Sequence, residues 1–332
     1  MRFGLSTAVF LLLLPSLGWT HHSHSGFHLD RVVAFQGTVT NFEWTNPHVY
    51  LTVADDNGAE WLIETDPTPV MSRSGWTENS FSPGDLVSVR ANPDRRAIRK
   101  HGLLLSIEGV EGVVMSSWNT SGQDTHDGPT ASAESLNGIW QGERSSLKNF
   151  ASYLMTHPLT EKGEAARSAY SQSINPTTEC ISWPTPFILS SYLYLSELEI
   201  GDDVTYFRNE FYGTERVIHM DTGVPIPMGE PSLQGHSVGH WEGKTLVVET
   251  RNFSYHRSPY GSGTGVPSGV QKHVIERFSL NEDGTEALID IFLEDPEYLA
   301  EPVTATFVWK YSPHFEMLEL ECDQGVAARF IQ

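Results

Sequence analysis

Five of the 14 histidines fall before residue 49, and their positions suit metal binding. When a protein begins with histidine, the α-amine and the ring can chelate one Cu(II) ion, and a second imidazole completes a T-shaped site, the histidine brace. Imidazole and amine nitrogens suit Cu(II), Ni(II) and Zn(II). The pattern predicts copper or another divalent transition metal as the cofactor, bound by His21, His22 and His48, with His24 and His28 as additional candidates.

The predicted ligand His48 follows a turn. In Asn46-Pro47-His48 the proline restricts the backbone, which would aim the imidazole just before a strand. Two other interpretations stay open. The histidine-rich start can be a tail that binds metal without specificity, or His48 can donate to a backbone carbonyl at a strand end.

The first 20 residues have the pattern of a secretory signal peptide. Arg2 supplies the positive charge, and the apolar run from Phe3 to Leu14 is too short for a comfortable membrane span. We therefore expect a periplasmic or secreted protein with no transmembrane segment after processing.

The position of signal cleavage decides whether a brace can form. Cleavage after Thr20 makes His21 the first residue, with the free α-amine that the brace requires. Cleavage after Gly18 satisfies the small-residue preference equally well and makes Trp19 the first residue.

The two cysteines, Cys180 and Cys322, have two interpretations in an oxidising compartment. A disulfide between them would close a loop of about 140 residues and contribute up to about 5 kcal/mol in the chain-entropy model. The alternative is two separate buried thiols. Neither cysteine has the spacing of a redox motif or a cysteine-rich zinc site.

One segment matches a hydrolase motif. Gly235-His236-Ser237-Val238-Gly239 fits G-x-S-x-G, which places a nucleophilic serine on a turn between a strand and a helix. Here a proline-rich segment precedes the motif and a predicted strand, Thr245 to Thr250, follows it. This context does not suit the motif, so Ser237 is only a weak candidate for catalysis.

The same segment carries candidates for ligand binding. His236, His240 and Glu242 share one face of an extended chain, with Trp241 on the other. His236, Trp241 and Glu242 are the residues that could bind a ligand at the mouth of a barrel. The alternative is a polar loop beside a structural tryptophan.

The charge excludes some partners. There are 42 acidic and 21 basic residues, for a formal charge of −21. Nucleic acids and anionic membranes need a basic surface, so we expect neither as the main partner.

The composition and alternation of the chain predict an all-β protein. With 28 Gly, 19 Pro and 11% aromatic residues, it favours strands and turns over helical bundles. Predicted strands of the first block are Val32 to Trp44, His48 to Ala54, Glu60 to Thr65, Leu86 to Ala91 and Leu103 to Glu108. Those of the second block are Tyr192 to Ile200, Val204 to Phe211, Glu215 to Met220, Thr245 to Thr250, Val274 to Leu280, Ala287 to Leu293, Val303 to Tyr311 and Met317 to Cys322.

These elements predict two barrels. Residues 21–115 suit a small OB-like five-stranded barrel with a helix near Thr68 to Ser74, and residues 116–137 form a polar linker. Residues 138–332 suit a larger lipocalin-like antiparallel barrel with one short helix, Glu161 to Tyr170, capped by Thr160. Its interior either encloses an apolar ligand or is packed with side chains.

The first block resembles a bacterial exported family of unknown function. Members typically begin, after cleavage, with His-His-Ser-Phe and carry W-x-N-P-H. The residues that match are His21-His22-Ser23, Gly37-Thr38-Val39-Thr40, Trp44-Thr45-Asn46-Pro47-His48 and Pro83-Gly84-Asp85. His24 stands where the family has Phe. The resemblance favours His21 as the mature start.

The second block resembles another uncharacterised exported group, which usually reads G-H-S-x-G-R-W-E-G-D-T-L-V-V-D-T. The matching segment here runs from Gly235 to Thr250, with His240 in place of the usual Arg. Together the two resemblances imply a periplasmic β-protein and no enzyme class.

The leading prediction is an exported binding protein with a transition-metal site at its mature N-terminus and a small apolar ligand in the larger barrel. One alternative is an enzyme, either a copper histidine-brace oxidoreductase or a serine hydrolase at Ser237. The other is an envelope scaffold that docks a partner protein.

Overall fold

The computed structural model describes residues 26–96, 98–109, 112, 114–116, 129–221, 223, 228–257, 260 and 264–329. The predicted signal peptide, the candidate ligands His21, His22 and His24, and most of the predicted linker lie outside these residues. The prediction of an all-β protein with two barrels is confirmed.

The first barrel has the strand order of an OB fold. Its elements are β1 (Val33–Glu43), β2 (Tyr50–Asp55), β3 (Glu60–Glu64), α1 (Thr68–Arg73), β4 (Leu86–Pro93), β5 (His101–Glu108) and β6 (Val114–Ser116). The sheet runs β3-β2-β1-β4-β5-β6, and a parallel pairing of β3 with β5 closes its first five strands into a barrel. Because of this closure, residues at the end of β3 lie beside the start of β5.

Alternating inward side chains form the core of this barrel. Strand β1 buries Val39, β2 buries Leu51 and Val53, and β4 buries Val87 and Val89. Strands favour β-branched residues at such half-buried positions, which explains why the sequence pattern located all five strands.

The second barrel is closed by nine strands. They are β7 (Gly138–Gly142), β8 (Leu195–Glu199), β9 (Val204–Asn209), β10 (Thr214–Met220), β11 (His236–Glu242), β12 (Thr245–Arg251), β13 (His273–Leu280), β14 (Glu286–Glu294) and β15 (Val303–Tyr311). Strand directions cannot alternate all the way around an odd number of strands. The pair β10 and β11 is therefore parallel, and the other eight pairs are antiparallel.

Helices lie outside the second barrel. The predicted short helix is α3 (Glu161–Ala169), and Thr160 caps it by accepting from the backbone N–H of Gly163 at 3.0 Å. A longer helix that was not predicted, α2 (Arg144–Thr156), packs Phe150 against Phe307 of β15. A final turn of helix, α4 (Gln324–Ala327), lies near the end of the chain.

The predicted strand from Met317 to Cys322 is wrong. This segment has no strand partner within the described residues, and its backbone instead bonds to a side chain and a loop. The N–H of Leu318 donates to the Glu210 carboxylate at 2.8 Å, and the N–H of Asp323 donates to the Asn46 carbonyl at 3.1 Å. Residues 312–329 form a C-terminal strap that crosses from the second barrel to the first.

Side chains fill the interior of the second barrel. Trp140, Phe207, Phe278 and Trp309 are fully buried there, and aromatic contacts join Trp309 to Phe207 and Phe278. This packing favours the alternative without an apolar ligand.

The two cysteines form a disulfide between Cys180 and Cys322. Cys180 follows a short 3₁₀ helix, Pro176–Glu179, and Cys322 lies on the C-terminal strap. The disulfide therefore fixes the strap to the second barrel at a point next to Asp323.

Candidate functional site

His48 has the orientation expected of a metal ligand. Its Nδ1 lies 2.9 Å from the carbonyl oxygen of Thr65, and the Thr45 hydroxyl donates to the His48 carbonyl at 3.0 Å. A carbonyl can only accept, so Nδ1 carries a hydrogen, and in the neutral ring the lone pair is on Nε2. The side chain is 29% exposed. Ligating histidines usually donate their other ring N–H in this way.

A buried group of titratable side chains, Glu64, His101 and Asp94, adjoins His48. The Glu64 carboxylate is 3.6 Å from Nδ1 of His48 and, through its other oxygen, 3.1 Å from Nε2 of His101. Nδ1 of His101 is in turn 3.2 Å from Asp94. The closure of β3 against β5 brings Glu64 and His101 together, because Leu62 pairs with His101 in that register.

The described chain begins beside this group. Phe27 pairs with Asp94 in an antiparallel bridge, and its ring lies edge-on against His101 with the ring centroids 4.9 Å apart. The N–H of Arg95 donates to the carbonyl of Gly26. The N-terminal segment is therefore held against the barrel next to Glu64 and His101.

Of the remaining metal candidates, only His28 lies within the described residues. His28 is partly exposed, with Nδ1 3.7 Å from Asp30. Within the described residues, which exclude His21, His22 and His24, no group of three or more His, Cys, Asp or Glu side chains is arranged to hold a metal ion. The metal site stays a prediction.

The loop that carries His48 is connected to the second barrel through helix α1. The Asn46 side chain accepts from the N–H of Thr68 at 2.9 Å, and Arg73 at the end of α1 forms a bidentate pair with Glu210. An open cleft of about 750 Å³ is lined by residues 44–46 and Thr68 from the first barrel and by Glu319 and residues 321–325 from the strap.

Ser237 lies in the core of the second barrel. It is fully buried near the start of β11, where its hydroxyl accepts from Nε of Arg216 at 2.8 Å and lies 3.1 Å from the Thr250 hydroxyl. An elbow nucleophile stands on an exposed turn between a strand and a helix. This placement does not fit catalysis by Ser237.

The glycines of the G-x-S-x-G segment have structural roles. Gly235 has φ +73°, and a Cβ there would lie 2.8 Å from the Phe253 ring. Gly239 points inward, and a Cβ there would lie 2.9 Å from Ile218. Both positions require glycine for conformation or space, which explains the match to the motif without hydrolase chemistry.

The other candidates in this segment lie on both faces of β11. His236 and Glu242 point outward, whereas Trp241, which is 45% exposed, shares the face of the buried Ser237 and Gly239 near the end of the strand. Glu242 bonds to Arg277 at 2.5 Å and lies 3.3 Å from His240. His236 lies beside His219, and its own partial burial together with that neighbour holds the pKa of His236 below its usual value.

Sequence reasoning missed two buried ion pairs. Arg216 and Glu276 face the interior of the second barrel, and their side chains are 1% and 0% exposed. Arg73 and Glu210 join the two barrels. A charged residue at an inward position of an alternating strand could have indicated such a pair. Arg216, between the buried residues Thr214 and Ile218, is an example.

A buried lysine lies at one end of the second barrel. Nζ of Lys272 donates to the Thr185 carbonyl at 2.6 Å and lies 3.8 Å from the centre of the Phe253 ring. Burial lowers the pKa of Lys272 to about 7. Nearby, the Tyr260 hydroxyl donates to Asp295 at 2.6 Å, and burial raises the pKa of that carboxyl.

Acid is expected to destabilise the protein through His256. Burial, and then the positive charges of Lys272 and Arg257, lower its pKa to about 4, although Glu179 acts in the opposite sense. Between pH 6.5 and about 4 the unfolded chain therefore binds a proton that the folded protein does not, so stability falls as the pH drops through this window. After solvent screening we expect about 1–2 kcal/mol.

The measurement is urea unfolding of the wild type and His256→Gln between pH 7 and 4. The variant should lose less stability across the window. Its matched control, His240→Gln at an exposed site, should follow the wild type. Parallel curves for the wild type and His256→Gln would contradict the assignment.

No helix in the described part of the chain combines the length and apolarity needed to cross a bilayer.

Comparison with known proteins covers part of the chain. No curated protein matches the chain. The predicted resemblance of the second block to an exported group stays a prediction. Residues 11–104 match the model of a family described as a family of unknown function, DUF6152, which confirms the family resemblance predicted for the first block.

Proposed function

We propose that this chain is an exported binding protein that holds one divalent transition-metal ion, Cu(II) in the first instance. The α-amine and ring of His21 and Nε2 of His48 are the ligands, with His22 beside them. The observation that carries the proposal is the hydrogen bond from Nδ1 of His48 to the Thr65 carbonyl, which leaves Nε2 available on a partly exposed ring.

The interpretation of His48 as a simple strand-end donor is compatible with this proposal. A donor bond to a carbonyl satisfies one ring nitrogen and uses none of the capacity of the other. In metal sites the same bond fixes the tautomer and the direction of the ring and raises its basicity. The bond to Thr65 therefore supports the metal site.

The local charge also supports a cation. Glu64 lies 3.6 Å from Nδ1 of His48. Its other carboxylate oxygen contacts His101, which in turn contacts Asp94. The chain as a whole has a formal charge of −21. A carboxylate behind a ligating imidazole strengthens the ligand, and an acidic surface raises the local concentration of cations.

The chain length permits the first residue to reach His48. Phe27 is anchored beside Asp94 and His101, on the far side of Glu64 from His48. His21 lies six positions before Phe27, and an extended chain of that length spans up to about 20 Å. His24, within this stretch, and His28, directly after Phe27, are additional donors.

The proposal predicts that His48→Ala weakens Cu(II) binding. Loss of outer-shell partners costs about 10–100-fold in metal affinity, and loss of a ligand should reach at least about 100-fold. The measurement is the intact mass of periplasmic protein, followed by Cu(II) titration under EPR. We expect a mature start at His21 and one copper ion with a nitrogen-rich axial spectrum.

The matched control is His314→Ala, which removes an exposed imidazole from the strap. It should bind Cu(II) like the wild type. A mature start at Trp19, or equal affinities for wild type and His48→Ala, would reduce the histidine cluster to a nonspecific tail and end the proposal.

A further inference from the structure

Two histidines stand side by side on the outer face of the second barrel. They belong to β10 and β11, the parallel pair, in which Ile218 pairs with Ser237 and His219 pairs with Val238. Because Ile218 and Ser237 are buried, His219 and His236 point outward on the same face. The imidazole centroids are 5.3 Å apart, and the ring planes differ by 30°.

This separation matches that of two imidazoles that share a metal ion. Metal–nitrogen bonds of about 2.0–2.1 Å at a tetrahedral angle place two imidazole centroids about 5 Å apart. Both rings are partly exposed, so water can complete the coordination. The strands themselves fix the spacing, so the two ligands are positioned before any ion binds.

The charges around the pair permit a cation. Arg251 pairs with His236 across β11 and β12, and its Nε donates to Glu249 at 2.9 Å. Glu249 is also 3.0 Å from Nε2 of His273. The charge of Arg251, the basic residue opposite His236, is thus balanced by the Glu249 carboxylate.

We propose that His219 and His236 chelate a divalent transition-metal ion, of the Zn(II), Ni(II) or Cu(II) class, on the outer face of the nine-stranded barrel. Two imidazole nitrogens and bound water form the coordination shell. The site is independent of the one proposed at His21 and His48, since neither of its ligands comes from the first barrel.

A competing explanation is that the two rings only pack against each other. The two explanations predict different responses to zinc. A chelate needs both rings, so either single replacement should remove most of the affinity and the double replacement should add little. Rings that only pack against each other would give no Zn(II) binding for the replacements to weaken, and rings that bind Zn(II) independently would give additive losses.

The experiment is a Zn(II) titration by calorimetry of H219Q, H236Q and H219Q/H236Q, all in the His48→Ala background to weaken the N-terminal site. H240Q is the matched control, because His240 is exposed two strand positions beyond Val238. We expect one binding event that either single variant weakens at least about tenfold and that H240Q leaves intact. Melting temperatures in EDTA establish that the variants are folded.

A local readout removes any contribution from the N-terminal histidines. Diethyl pyrocarbonate modifies unliganded imidazoles, and peptide mass mapping reports each one separately. Zn(II) should protect His219 and His236 and leave His240 reactive. Equal labelling of His219 and His236 with and without Zn(II), titrations unchanged by the double replacement, or additive losses would overturn the proposal.

Discussion

Glu276→Leu is expected to destabilise the protein by about 3–5 kcal/mol, because it leaves a guanidinium buried without its counter-charge. The Glu276 carboxylate accepts from Nη1 and Nη2 of Arg216 at 2.9 and 2.6 Å inside the second barrel. The remaining bonds of Arg216 go to Ser237 and Thr250, which are neutral. Two hydroxyls cannot replace a carboxylate as the partner of a buried cation.

The measurement is equilibrium unfolding in urea. The control is Glu242→Leu, which removes an exposed partner of Arg277 and should cost less than about 1 kcal/mol. The double variant Arg216→Met/Glu276→Leu removes both charges and should recover most of the lost stability. A cost for Glu276→Leu as small as that of the control would mean that the pair is not buried in solution.

The strands were predictable where their alternation was regular. Each of the five strands of the first barrel lies within a few residues of its predicted position, because inward Val, Leu and Ile alternate with polar residues. The prediction failed for residues 317–322. That segment has an extended sequence, but its partners are Glu210 and Asn46, which no local pattern identifies.

Three strands were missed, β6, β7 and β11. β6 has only three residues. β11 contains the hydrolase-like segment around Ser237, and its inward Gly239 removes the apolar alternation. β7 is short and contains two glycines. A closed barrel with nine strands needs one parallel pair. Here that pair is β10 and β11, and their register places His219 beside His236.

His48 could be chosen as a candidate ligand from the sequence, but its surroundings could not be predicted. The sequence Asn46-Pro47-His48 identified the histidine. Glu64 and His101, in contrast, meet only because β3 and β5 pair across the closure of the barrel. Contacts of this kind depend on long-range strand pairing, which propensity and spacing do not encode.

The contact of Arg73 with Glu210 connects that site to the second barrel. The Glu210 side chain is 0% exposed, and besides Arg73 it accepts from the backbone N–H groups of Leu195 and Leu318 at 2.9 and 2.8 Å. One carboxylate therefore joins helix α1, strand β8 and the C-terminal strap. Helix α1 begins at Thr68, which is bonded to Asn46, two residues before His48.

Glu210→Gln is accordingly expected to cost about 3–5 kcal/mol although the volume of the side chain hardly changes. The amide keeps one acceptor oxygen, and its NH₂ group faces donors that it cannot satisfy. We expect one calorimetric unfolding transition for the wild type and two transitions, one for each barrel, for Glu210→Gln. Cu(II) affinity should also fall about tenfold through the loop that carries His48.

The matched control is Glu215→Gln, which weakens an exposed bond to Arg208 and should shift stability by less than about 1 kcal/mol. Equal effects of the two variants would mean that the barrels are not joined through Glu210. A loss of stability with unchanged Cu(II) affinity would confine the role of Glu210 to holding the barrels together. Loss of both would mean that the second barrel supports the metal site of the first, which gives the two-barrel arrangement a function that neither barrel has alone.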